Sequence, residues 1–152
     1  MENSSANSAY PYPQGDGIAY AAIADGKTWY APTKDEWEYL LGLGETKREN
    51  ASNLCKQRTV NDVLGLVILP DGCTEDINNT DWSVLEKAGA VFLPAAGCEG
   101  DEGYGNGYYS SSTWTHENSN YFYIVRWPAT NGLITCGGWY KNHHSVRLVR
   151  SL

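Results

Sequence analysis

Basic residues are scarce in this chain: 11 Lys and Arg stand against 18 Asp and Glu in 152 residues, a formal net charge of −7. Nonspecific nucleic-acid binding needs a basic surface to meet phosphate, so that class of partner is not expected. Long apolar runs are absent as well; none approaches the roughly 20 residues that span a bilayer, and membrane insertion is not expected. The four cysteines, Cys55, Cys73, Cys98 and Cys136, form no CxxC pair, which argues against a zinc knuckle or a thioredoxin-like site. They allow two bridges in any of three pairings, or free, partly buried thiols, the reading preferred here. Residues 1–17 lack both the basic region and the apolar core of a secretory signal. They read as a polar tail ahead of one domain over residues 18–152. Phenylalanine is nearly missing, with two residues, whereas Trp and Tyr supply 6 and 11. Such side chains suit places where one edge is buried and the other wet.

The charge is unevenly spread. Residues 1–102 hold 7 Lys and Arg against 17 Asp and Glu, a balance of −10; residues 103–152 hold 4 against 1, a balance of +3. A mildly basic last third suits an acidic partner, and equally a solvated acidic body with a few structural arginines.

Local patterns point to an α+β domain. Residues 18–32 read as two short strands about the turn Ala24-Asp25-Gly26-Lys27. Thr33-Lys34-Asp35-Glu36 fits a capping box, and Trp37, Leu40 and Leu41 continue it as one apolar stripe ended by Gly42 and Gly44. Residues 45–58, polar and charged, read as an exposed excursion. Val63 to Leu69 is a near-continuous apolar run closed by Pro70-Asp71-Gly72, hence a buried strand and a turn. Thr80 to Ala88 predicts a second short helix with Trp82 and Leu85 inward and Gly89 as its left-handed cap. Strands follow at Ala90 to Pro94, Tyr121 to Trp127, Leu133 to Trp139 and Ser145 to Arg150, with a Gly-rich acidic loop at 97–107.

Residues 107–150 are crowded with Trp, Tyr, His, Asn and Ser. Tyr and Trp bring contact area at little entropic loss, and Asn, Ser and His bring adaptable hydrogen bonds. That composition points to recognition more than to chemistry.

Four ordered segments carry a family resemblance: 29–40 (WYAPTKDEWEYL), 59–71 (TVNDVLGLVILPD), 88–97 (AGAVFLPAAG) and 145–150 (SVRLVR). With Ser111-Ser112-Thr113 they resemble the Fibrobacter succinogenes major paralogous domain family over roughly residues 29–150. The family's Tyr-Trp-Ser-Ser-Thr is here Tyr109-Ser110-Ser111-Ser112-Thr113, and His143 stands where a Gly usually precedes the final Ser-Val-Arg. The resemblance implies a C-type-lectin-like fold related to formylglycine-generating enzymes: two short helices, small antiparallel sheets and long loops. It also implies kinship with the variable proteins of diversity-generating retroelements. In those, adenine-directed mutagenesis rewrites the C-terminal coding segment on a constant scaffold, for display on a cell surface or virion. Tyr121, Tyr123 and Val125 then match core positions, leaving Phe122, Ile124 and Arg126 to face out.

Chemistry is weakly supported. The calcium-dependent sugar sites of this fold need carboxylates, and Trp127-Pro128-Ala129-Thr130-Asn131 has none. Glu99, Asp101 and Glu102 read as a solvated loop. Oxidase chemistry of the formylglycine type needs two late cysteines, and Cys136 stands alone. His143 and His144 would point to opposite faces of a strand, and Glu117 is the one carboxylate near them in sequence, so zinc catalysis is not expected. Ser111-Ser112-Thr113 has no glycine elbow.

The expected function is therefore non-enzymatic ligand binding without metal or cofactor, by a surface within 106–144. Its candidate residues are Trp114, His116, Asn118, Asn120, Phe122, Ile124, Arg126, Trp127, Trp139, Tyr140, Asn142, His143 and His144. Trp114, Phe122, Trp127, Trp139 and Tyr140 would be the aromatic anchors, and the partner a protein or surface glycan. A surface adhesin or filament-tip unit is the alternative, and a degenerate or metal-dependent enzyme a third reading.

Overall fold

The computed structural model describes residues 22–24, 26–45, 47–97, 106–114, 122–127, 135–139 and 145–149, with backbone alone at several strand positions, among them Trp114, Phe122 and 135–139. It is an α+β arrangement of short helices and small antiparallel sheets. A hairpin of β1 (Ala22–Ala24) and β2 (Lys27–Trp29) leads into helix α1 (Lys34–Leu41). Then come α2 (Ala51–Leu54), β3 (Cys55–Val60), β4 (Val63–Ile68), α3 (Trp82–Lys87) and β5 (Val91–Pro94). The last elements are β6 (Gly107–Trp114), β7 (Phe122–Trp127) and β8 (Thr135–Trp139). The larger strands form two three-stranded sheets in sequential order, β3-β4-β5 and β6-β7-β8.

Helix α1 starts where the capping box requires. The Thr33 hydroxyl accepts from the Glu36 N–H at 3.1 Å, and the Glu36 carboxylate accepts from the Thr33 N–H at 2.8 Å. Gly42 ends the helix with φ 71, a left-handed backbone that glycine adopts without strain. The buried Trp37 and Leu41, with the partly buried Leu40, lie against the core.

Strand β4 is the centre of the molecule. Leu66, Val67, Ile68 and the following Leu69 are all buried, because the sheet is covered on both faces. On one face Leu66, Ile68 and Leu93 meet Trp37, Leu41, Tyr109, Val125 and Trp127, so this core joins α1 to the C-terminal sheet. On the other, Val67 and Leu69 meet Leu54, Ile77 and Leu85, so α2, α3 and the chain before α3 close that side. Asp81 caps α3 by accepting from the Ser83 N–H at 2.9 Å, and Gly89 follows with φ 90.

The expected exposed excursion at 45–58 is corrected. It contains α2 and edge strand β3, which pairs with β4 along its whole length. It also buries Arg48, whose side chain is 1% exposed. The guanidinium donates from Nη1 to the Leu69 carbonyl at 2.6 Å and from Nη2 to the Leu54 carbonyl at 2.9 Å. Asp71 is its ion-pair partner at 3.4 Å and also accepts from the Tyr39 hydroxyl at 2.8 Å. The fork supplies the Leu69 carbonyl with a donor and gives the Leu54 carbonyl, which also accepts from the Leu69 N–H at 2.8 Å, a second one.

The expected strand from Ser145 is reduced to two isolated bridges, Tyr109 with Ser145 and Tyr30 with Val149. Strand β6 had no counterpart among the expected strands.

Candidate functional site

The C-terminal sheet is fastened to the body by β6. Lys34 donates its N–H to Thr113 Oγ1 at 2.9 Å, Ser112 donates its N–H to the Pro32 carbonyl at 2.9 Å, and the Trp37 indole donates to the Ser110 carbonyl at 3.3 Å. Here the register shifts: Ser110 faces Ile124 while Trp114 faces Phe122, so four steps on β6 answer two on β7. Such an irregularity re-aims the strand beyond it. Ser111 and Ser112 are buried within it.

Beyond the shift, three candidate residues fall into one row. Trp114 is opposite Phe122, and Phe122 is opposite Trp139. Their backbones cross one end of the sheet side by side. The chain leaves this end at Trp114 and returns at Phe122, and it leaves again at Trp139. The connecting segments carry His116, Asn118, Asn120, Tyr140, Asn142, His143 and His144, all of which lie outside the described residues. So do Tyr121 and the acidic residues Glu99, Asp101 and Glu102.

Two candidates are corrected. Ile124 is 3% exposed and Trp127 is fully buried. Strand β7 is central, flanked by β6 and β8, and its middle is covered on both faces, so the alternation does not leave Ile124 wet. Trp127 is a core residue. It stacks on Tyr109 with ring centroids 5.3 Å apart and planes 14° apart. It fills the space a side chain at position 107 would take, since a Cβ there would lie 2.0 Å from the indole. Val125 is buried as expected, whereas Tyr123 is half-buried with the Lys34 ammonium 5.3 Å from its ring centre. Of the outward-facing group with a described side chain, Arg126 is exposed, its guanidinium 5.4 Å over the Tyr108 ring. A cation held this way keeps its charge available to a partner.

Burial sets the chemistry of the neighbouring groups. Tyr109 is pushed up to about 12 by desolvation, eased by Arg147, and its hydroxyl donates to the Pro94 carbonyl at 3.1 Å. The Cys55 thiol is likewise pushed up to about 12 by burial, which makes it an inert packing group. Cys55 and Cys73 are free and half-buried.

Away from the sheet, an open cleft of about 860 Å³ lies among Tyr39, Arg48, Asn53, Asp71, Glu75 and Asp76. A pocket of about 390 Å³ lies beside the β3–β4 turn, and an apolar groove of about 330 Å³ is lined by Trp29, Trp37, Pro70 and Leu148. Composition alone pointed to none of these, because each is assembled from distant segments. Among the described residues no His, Cys, Asp or Glu group is placed to hold a metal ion, and no helix is long and apolar enough to cross a membrane. Comparison with models of known protein families, with curated proteins and with solved structures yields no match.

Proposed function

We propose that the chain is a non-enzymatic binding module of C-type-lectin-like fold, with a recognition surface at the end of its C-terminal sheet. It is related to the variable proteins of diversity-generating retroelements and takes a protein or surface glycan as partner. The observation that carries this reading is the row Trp114, Phe122 and Trp139, in register across three strands at the end where the chain departs into its His- and Asn-rich segments. The surface is drawn without Ile124 and Trp127, which belong to the framework. Trp114, His116, Asn118, Asn120, Phe122, Trp139, Tyr140, Asn142, His143 and His144 remain its candidates, with the exposed Arg126 beside them in sequence.

The test joins binding to stability. The full chain is screened on arrays of cell-surface proteins and glycans, and any hit is measured again with Trp139→Ala and Tyr140→Ala combined. Lost binding at a nearly unchanged melting temperature is the expected result. A large fall in melting temperature would place those residues in the core and overturn the reading. Sibling copies of the gene differing only at adenine-derived codons within 106–144 would support the retroelement part, and differences spread evenly along the chain would remove it.

A further inference from the structure

The pocket beside the β3–β4 turn is built by elements that take no part in the C-terminal surface. It is about 390 Å³, a size that suits one small ring. Its lining includes Arg58, Thr59, Asn61, Asn79, Asp81 and Trp82.

Three properties define what it accepts. First, Trp82 is partly exposed and fixed, its ring 5.9 Å from Phe92 at 64°. Its indole N–H has no hydrogen-bond partner among the described residues. Second, polar groups around it retain capacity. Asn61 is exposed on a two-residue turn, with φ 49 followed by 65 at Asp62, and its side-chain amide bonds to nothing described. Asn79 uses its side-chain oxygen to accept from the Asp81 N–H at 3.0 Å, which leaves its amide N–H groups unused. Asp81 binds Ser83 through one oxygen. Third, the lining is electrically balanced. Arg58 is the one cation and Asp81 the one carboxylate, and Arg58 already donates to the carbonyls of Ile77 and Asn79.

A balanced pocket gives no preference to an ion. An indole beside unspent donors and acceptors matches a ligand with an apolar C–H face and a hydroxyl edge, because each hydroxyl both donates and accepts. An extended peptide would want a row of apolar pockets along a strand edge, and although edge strand β3 contributes Arg58 to Val60, the lining is mostly polar and offers no such row. We infer that this pocket binds a neutral pyranose ring, with Trp82 as platform and Asn61 and Asn79 as hydroxyl partners.

The experiment is an NMR titration of the isotope-labelled full chain. The probes are methyl glucoside, methyl galactoside, methyl mannoside and N-acetylglucosamine, each added alone, and then a blocked tetra-alanine peptide. The expected result is saturable shifts for at least one sugar at the Trp82 indole N–H and at backbone amides of 59–61 and 79–82. Affinity should fall about tenfold in Asn61→Gly, which keeps the left-handed turn while removing the amide, and about tenfold in Trp82→Phe. If Trp82→Phe does not fold, Asn61→Gly decides. No saturation with any sugar, shifts centred on 107–139, or saturation by the peptide alone would overturn the inference. Shifts on 107–139 would instead favour a glycan-binding C-terminal surface, so the two proposals fail separately.

Discussion

The two three-stranded sheets share a topology and differ in what their connections do. Both are sequential antiparallel meanders, and both have a central strand buried on two faces. In β3-β4-β5 the first connection is Asn61 and Asp62, two residues in the left-handed region, as a tight hairpin requires. The polar residues before α3 bind each other: Asp76 takes the Asn78 N–H, Asn79 that of Asp81, and Asp81 that of Ser83. In β6-β7-β8 the described bonds to the body come from β6 itself, and Ser145 bonds to β6 at Tyr108 and Ser110. Polar loop sequence secures the first sheet, whereas strand residues of β6 secure the second.

The comparison breaks most sharply at Trp127, which lies in the segment rich in candidate contacts and belongs to the core. Trp127→Ala should lose about 3–5 kcal/mol in chemical denaturation. Gly107→Ala, which would drive a methyl into the same indole, should lose about 1–3 kcal/mol. A small effect in both would place this end of β7 with the proposed binding surface. Next in size is Arg48→Met, expected to lose about 3 kcal/mol because the Leu54 and Leu69 carbonyls lose a charged donor. Thr33→Ala should lose about 1 kcal/mol by removing the cap, with Thr33→Ser largely retaining it.

The smallest effect is a pH dependence that sharpens the same division. Cys55 has its folded value raised from 9.0 to about 12, and Tyr109 from 10.0 to about 12, both mainly by burial. A raised value means stability that is complete below the unfolded value and is lost as pH rises toward the folded one. Stability should therefore decline from about pH 9 upward, and Cys55→Ala should remove the earlier part of that decline in a melt-versus-pH series. An unchanged profile in Cys55→Ala would mean that the thiol is wetter than its packing indicates.

How much of this was legible in the sequence depended on whether local pattern or tertiary covering decided the outcome. Thr33 and Glu36 satisfy each other within one turn, so α1 was readable. The run from Val63 was readable because β4 is buried on both faces and its apolar residues are continuous. Strand β3 was not, since CKQRTV is an edge strand whose partner surface is mostly backbone. Strand β6 was hidden because its serines read as loop, and the reason they are buried is a junction with Pro32 and Lys34 some 80 residues earlier in sequence. Ile124 breaks the alternating pattern, which assumes one wet face, because both faces of β7 are covered there. Arg48 had no local signal at all; only the folded chain brings two carbonyls to it. Of the candidate site, the register of Trp114, Phe122 and Trp139 was invisible until the strands were paired.

The bridge between Tyr30 and Val149 has a mechanical consequence. Each donates its N–H to the other's carbonyl at 2.8 Å, and the two segments run antiparallel. Tension applied through the flanks of these residues would load both the β1–β2 hairpin and this pair in peeling rather than in shear, so slack would be released there before the buried sheets felt the load. A module tethered through both flanks would thus meet a pulling partner with a soft first extension and a stiff remainder.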